Sequence, residues 1–197
     1  MTDSEAAAAL IEAAAEDGRV RTRLAESGAL FDGYHPEMRA VHDANAALLD
    51  SLLDGGWPDA ARVGAAAADA AWLIAQHAIA QPAFQRRALA ALAASAAPRW
   101  QAAMLSDRIA VMEGRPQRYG TQFHWDSQGM MAPNPIADPA EVDARRAAVG
   151  LEPLADAITR HRATSGPAPA DPAARKAAYR RFLIETGWRV AQSGDPA

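Results

Sequence analysis

Residues able to do chemistry are sparse in this chain and gather in one stretch, residues 105–122, which reads LSDRIAVMEGRPQRYGTQ. It holds Asp107, Arg108, Gln117, Tyr119, Thr121 and Gln122. Taken as a helix over 100–113, at about 100° per residue, it gathers Trp100, Met104, Leu105, Ile109, Val111 and Met112 into one apolar arc. Arg108 points to the middle of that arc and Asp107 to its edge. A guanidinium there is costly unless it is paired and hydrogen-bonded. It calls for a carboxylate, backbone carbonyls or an anionic ligand, and its planar fork holds oxyanions through two bonds. The other chemistry-bearing group is His77, beside Gln76 and among Leu73 and Ile74. A buried imidazole needs partners for both ring nitrogens. It is also the usual acid or base near neutral pH.

Two readings follow. In the first, the protein is an enzyme acting on a small polar or anionic molecule by hydrolysis or proton transfer. His77 is then general base or acid, Asp107 orients it, and Arg108 binds a carboxylate or phosphate. Gln76, Gln117, Tyr119, Thr121 and Gln122 read the remaining polar edges. In the second, the protein is a non-catalytic binding or interaction module, and the same side chains form a network pinning the segment to the helices. The expected arrangement places His77, Arg108 and residues 117–122 around one cavity. His77, His124, Asp107 or Asp126 can ligate a metal, but no spacing demands one. No cofactor is expected, since phosphate loops, dinucleotide fingerprints, His-Glu-x-x-His and nucleophile elbows are all missing.

The elements that must position these groups are mainly helical. Asp17-Gly18 is expected to break or bend a first helix, with a second short one over 19–27, and Asp17 and Arg21 are spaced i, i+4 so that they can pair. A helix over 37–53 has Met38, Val41, Leu48, Leu49 and Leu52 as its stripe, with His42 a partly buried, hydrogen-bonded histidine. A helix over 59–80 is almost free of polar groups and belongs at the bundle centre. Pro82 opens a fifth helix. After the helix over 100–113, Gly114 and Pro116 stop the turn. Residues 117–125 alternate as a strand would, residues 126–129 form a turn, and 130–136 return as an edge strand. Gly120 marks a close approach. A helix over 139–148, a short one over 154–161 and a last amphipathic one over 173–190 complete the chain.

Composition narrows the class. Of 197 residues half are hydrophobic, much of that being alanine, which favours helix and close packing. The formal net charge of −4 gives no basic footprint for nucleic acid. With no cysteine, disulfides, thiol nucleophiles and thiolate metal sites are excluded. The acidic start is too weakly apolar for a signal peptide, and no run of about 20 apolar residues can span a membrane. The expectation is a soluble cytoplasmic protein.

The order of motifs is also informative. It runs through Asn45, Gly56-Trp57-Pro58, Gln76-His77, Asp107-Arg108, Gly114, Gln117-x-Tyr119-Gly120-Thr121-Gln122, Pro135-Ile136-x-Asp138, Val142-Asp143-x-Arg145-Arg146 and Gly150-Leu151. This pattern resembles a bacterial family catalogued only as a domain of unknown function. The resemblance covers roughly residues 10–160 and implies that the domain proper ends near Arg160. It implies no reaction, cofactor or substrate. The expected architecture is a mainly α, bundle-like single domain over 1–160, with one small β-hairpin at about 117–136. A linker follows over 161–172, then a C-terminal helix and tail over 173–197. That helix docks on the body or serves a partner, a homodimer included, and the last five residues fray.

Overall fold

The computed structural model describes residues 1–31 and 34–191. The frayed end expected for residues 193–197 lies outside them. The protein is mainly α-helical with one two-stranded antiparallel hairpin among the described residues. The chain divides into two compact units, Met1–Ala97 and Pro98–Ala197.

The first unit contains α1 (Asp3–Glu26), α2 (Pro36–Leu52), α3 (Ala60–Val63), α4 (Ala65–His77) and α5 (Pro82–Ala93). Helix α1 starts in a capping box, with Thr2 and Glu5 each satisfying the other's backbone N–H. It then runs without interruption through Asp17 and Gly18, where the sequence led us to expect a break. A glycine costs a helix about 1 kcal/mol relative to alanine. Burial of Leu10, Val20 and Leu24 on one stripe outweighs that. Asp17 does not pair with Arg21; it is buried on the same stripe. Helices α1, α2 and α4 pack on one another. These helices bury Leu10, Ala46, Leu49, Ala71, Ile74 and Ala75. Alanines on facing helices let the backbones approach. The helix expected over 59–80 is divided at Gly64, whose φ of 82° is open to glycine at little cost. It ends at His77 rather than Ala80.

The second unit contains α6 (Arg99–Met112), β1 (Phe123–Trp125), β2 (Met131–Pro133), α7 (Val142–Ala148), α8 (Leu154–Thr164) and α9 (Pro172–Glu185). In the hairpin Phe123 faces Pro133, His124 faces Ala132 and Trp125 faces Met131. Asp126 closes the turn by accepting from the N–H groups of Gln128 and Met130. The strand is shorter than its alternation implied, because residues 117–122 wrap as a loop. Gln117 makes only a single bridge, to Ile136. The close approach at Gly120 is made by side chains: a Cβ there would lie 2.9 Å from Leu154 and 3.0 Å from Ile136, at a φ of 69°. Helix α8 runs to Thr164, four residues into the expected linker, and lies against β2. Helix α9 docks within this unit through buried Leu183 and Trp188. Arg189 then donates to the carbonyls of Met112 (2.9 Å) and Val111 (2.8 Å) at the end of α6; Val111 also accepts from the Gly114 N–H, whereas Met112 is one of the helix end's orphan acceptors.

Candidate metal centre

Three helices of the first unit each bring one ionisable side chain to a common point. Asp17 comes from α1, His42 from α2, and His77 is the last residue of α4. One ligand atom from each lies within 4.8 Å of the other two. His77 Nδ1 is 2.8 Å from Asp17 Oδ2. His42 Nε2 is 3.1 Å from the same oxygen. That second contact is close enough for an ion pair but is not aligned as a hydrogen bond, and His42 Nε2 has no other hydrogen-bond partner among the described residues. On the far side of the ring, His42 Nδ1 lies 2.8 Å from the Tyr34 hydroxyl. Burial pushes the Tyr34 hydroxyl up from its ordinary pKa, so it keeps its proton and holds the ring's orientation.

Asp17 is 2% exposed. Burial alone would raise its carboxyl, but the close approach of the His42 and His77 imidazoles together outweighs burial and holds it well below the usual carboxylate range. It is therefore an anion at neutral pH, ready to ligate. Cis ligands on an octahedral ion with bonds of about 2.1 Å lie about 3 Å apart, which is the spacing of the two Oδ2 contacts. Two imidazoles and a carboxylate suit zinc or iron(II) and leave coordination positions open. His77 reaches solvent, its side chain being 22% exposed.

The other expected site residues fall in the second unit, apart from Gln76, which is buried beside His77 on α4. Asp107 is fully buried and orients the loop rather than a histidine. Its carboxylate accepts from the N–H groups of Arg118 (2.7 Å), Tyr119 (3.1 Å) and Thr121 (3.0 Å), and from the Thr121 hydroxyl (3.0 Å). The role foreseen for it beside His77 is filled by Asp17. Gln117 is equally buried. Its Nε2 donates to the carbonyls of Gln122 and Asn134, and its Oε1 accepts from Gln122 N–H at 2.8 Å. The amide side chain thus does the work of a missing strand. Gln122 donates weakly to the Thr121 hydroxyl. Arg108 is half-buried on α6; burial lowers its pKa, and the neighbouring Tyr179 of α9 opposes that shift.

Sequence reasoning passed over Asp17 and the two arginines after the loop. Asp17 carried a signal, since it falls on the apolar stripe of Leu10, Val20 and Leu24, where a carboxylate requires partners. Arg145 donates to the carbonyls of Arg118, Ala137 and Asp138. Arg146, 2% exposed, donates to those of Glu152 (2.6 Å) and Tyr119 (2.6 Å). Residues 117–122 are thus held by Asp107 through their amides and by two arginines through their carbonyls.

A mainly helical protein with one hairpin, a buried two-histidine, one-carboxylate cluster and a separate polar loop clamp is the class these features define. Residues 8–166 match the model of DUF6624, a family of unknown function, and the chain belongs to that family. No curated protein and no solved structure matches it. Among the described residues no helix is long and apolar enough to cross a membrane.

Proposed function

We propose that the first unit binds one divalent transition-metal ion through Asp17, His42 and His77, and that the ion serves hydrolytic chemistry on a small polar molecule. The observation carrying this reading is the misaligned 3.1 Å approach of His42 Nε2 to Asp17 Oδ2. Two buried polar atoms held that close without an aligned hydrogen bond are accounted for by a cation between them. Tyr34 then fixes the His42 ring from behind, as outer partners of ligating histidines do. The open positions would admit water, which a bound Lewis acid makes a nucleophile at neutral pH.

A second reading is favoured by the 2.8 Å contact of His77 with Asp17, a good hydrogen bond with no metal present. Tyr34, His42, Asp17 and His77 are then a structural relay joining three helices.

Calorimetric titration of the chelator-stripped protein with zinc, manganese(II) and anaerobic iron(II) separates the two. The metal reading expects one equivalent of at least one ion bound. It also expects a higher melting temperature in that ion and affinity reduced about tenfold or more in His77→Gln. Uptake of none of the three, or uptake unaltered by His77→Gln, leaves the relay. Hydrolysis of nitrophenyl esters and phosphates, with and without chelator, then tests the chemistry.

A further inference from the structure

The second unit holds a cleft of about 220 Å³ on which the metal reading does not draw. Trp100, Met104, Phe123 and Leu151 give it apolar walls, and Arg146 reaches it from α7. Arg146 is a nearly fully buried cation, yet no carboxylate lies within ion-pairing distance of it among the described residues. Its Nε and Nη1 are taken by backbone carbonyls, while its Nη2 has no hydrogen bond among the described residues. Arg160, also on the cleft, is neutralised by Glu152 through contacts of 3.0 and 2.6 Å. His161 is stacked on Phe123, with ring centroids 3.9 Å apart. Burial lowers its pKa, so it adds little positive charge near neutrality. Arg146 is thus the cleft cation with no carboxylate in direct contact; Glu152, Asp143 and Asp107 act on it only at longer range. A buried guanidinium that touches no carboxylate and keeps one nitrogen without a hydrogen bond is costly, and an arriving anion relieves that cost.

We propose that this cleft binds a small organic anion, a carboxylate on a compact apolar body, with Arg146 Nη2 donating to the carboxylate and Trp100, Met104 and Phe123 enclosing the body. The volume lies below the roughly 300–1,000 Å³ of sites for drug-sized ligands, so the ligand is of metabolite size. The apolar walls favour it over inorganic phosphate. Thr121 borders the cleft but donates its hydroxyl to Asp107, so it shapes the site rather than reading the ligand.

The test is calorimetric titration of the full chain with sodium benzoate in excess EDTA, which removes any metal from the first unit. Benzamide, the neutral isostere, and inorganic phosphate are titrated in parallel. Benzoate is expected to bind at one site, with benzamide weaker by about tenfold or more, because the charge-assisted bond is lost. Arg146→Gln should weaken benzoate by a similar factor. Since Arg146 also holds the loop, Leu151→Trp provides a second variant that fills the cleft and keeps the arginine; it too should abolish benzoate binding. The proposal is overturned if benzoate does not bind wild type, or if benzamide binds equally well. It is equally overturned if Leu151→Trp binds benzoate like wild type, or if phosphate binds and benzoate does not. His77→Gln should leave benzoate binding unchanged, so failure here is distinct from failure of the metal reading.

Discussion

Asp107 and Arg108 are adjacent in sequence and opposite in what the helix makes of them. Periodicity placed the arginine in the centre of the apolar face and the aspartate at its edge. The aspartate is the fully buried one, because residues 118–121 fold back over it and offer their amides. No local pattern contains that event, since the donors lie 11 to 14 residues further on. What was legible was that the Asp107 to Gln122 stretch forms one unit. What was not legible was its purpose, because a carboxylate that binds amides and one that orients a histidine have the same letters. The geometry makes a sharp demand on Asp107. An asparagine there would turn one acceptor into a donor facing N–H groups. Asp107→Asn should therefore lose about 2–4 kcal/mol in urea unfolding, while Ala at exposed Arg118 should change stability by less than about 0.5 kcal/mol.

Among the elements, helix α1 shows where propensity loses to packing. Asp-Gly reads as a helix end, yet burial of side chains on both sides of it carries the helix across. Gly18 is exposed and nothing lies within 4 Å of where its Cβ would stand. Gly18→Ala should stabilise the protein by about 0.5–1 kcal/mol, chiefly by restricting the unfolded chain, and raise the melting temperature by about 1–4 °C. The hairpin gives the opposite lesson. Its turn was legible because Asp126 and Gly129 suit the first and last turn positions. Its strands were overextended because alternation persists into the loop around Asp107. Bonds from the Met130 and Gln128 amides hold the Asp126 carboxyl below its ordinary 3.8. A depressed pKa stabilises the folded turn above the unfolded value, and that contribution disappears as pH falls through the folded one. In an NMR titration the Gln128 and Met130 amides should thus move with a midpoint below 3.8. A midpoint at or above 3.8 would contradict the turn geometry.

For the whole molecule, composition and periodicity recovered the mainly helical class and the hairpin but not the division at Ala97–Pro98. Pro98 read as a spacer between two helices, since nothing in a linear pattern says which helices share a core. His77 and Asp107 are both singular polar groups in apolar helices, and sequence paired them because each needed a partner. Each has one nearer its own fold: Asp17 for His77, and the loop amides for Asp107. Which partner each of these polar groups takes was the part that required coordinates.

The contact of Arg189 with the end of α6 also bears on how the protein is made. The carbonyl of Met112 receives its donor from a residue 77 positions later, and that of Val111, already accepting from Gly114, gains a second one. The guanidinium fits because residue 114 has no side chain: a Cβ there would stand 3.3 Å from the Arg189 Cζ. At roughly 5–20 residues per second, translation leaves the Met112 carbonyl waiting on the order of 4–15 s. During that interval water must satisfy the end of α6, and the surface that later takes Leu183 and Trp188 stands bare. The nascent chain is thus most exposed to wrong association while α7, α8 and α9 are being synthesised.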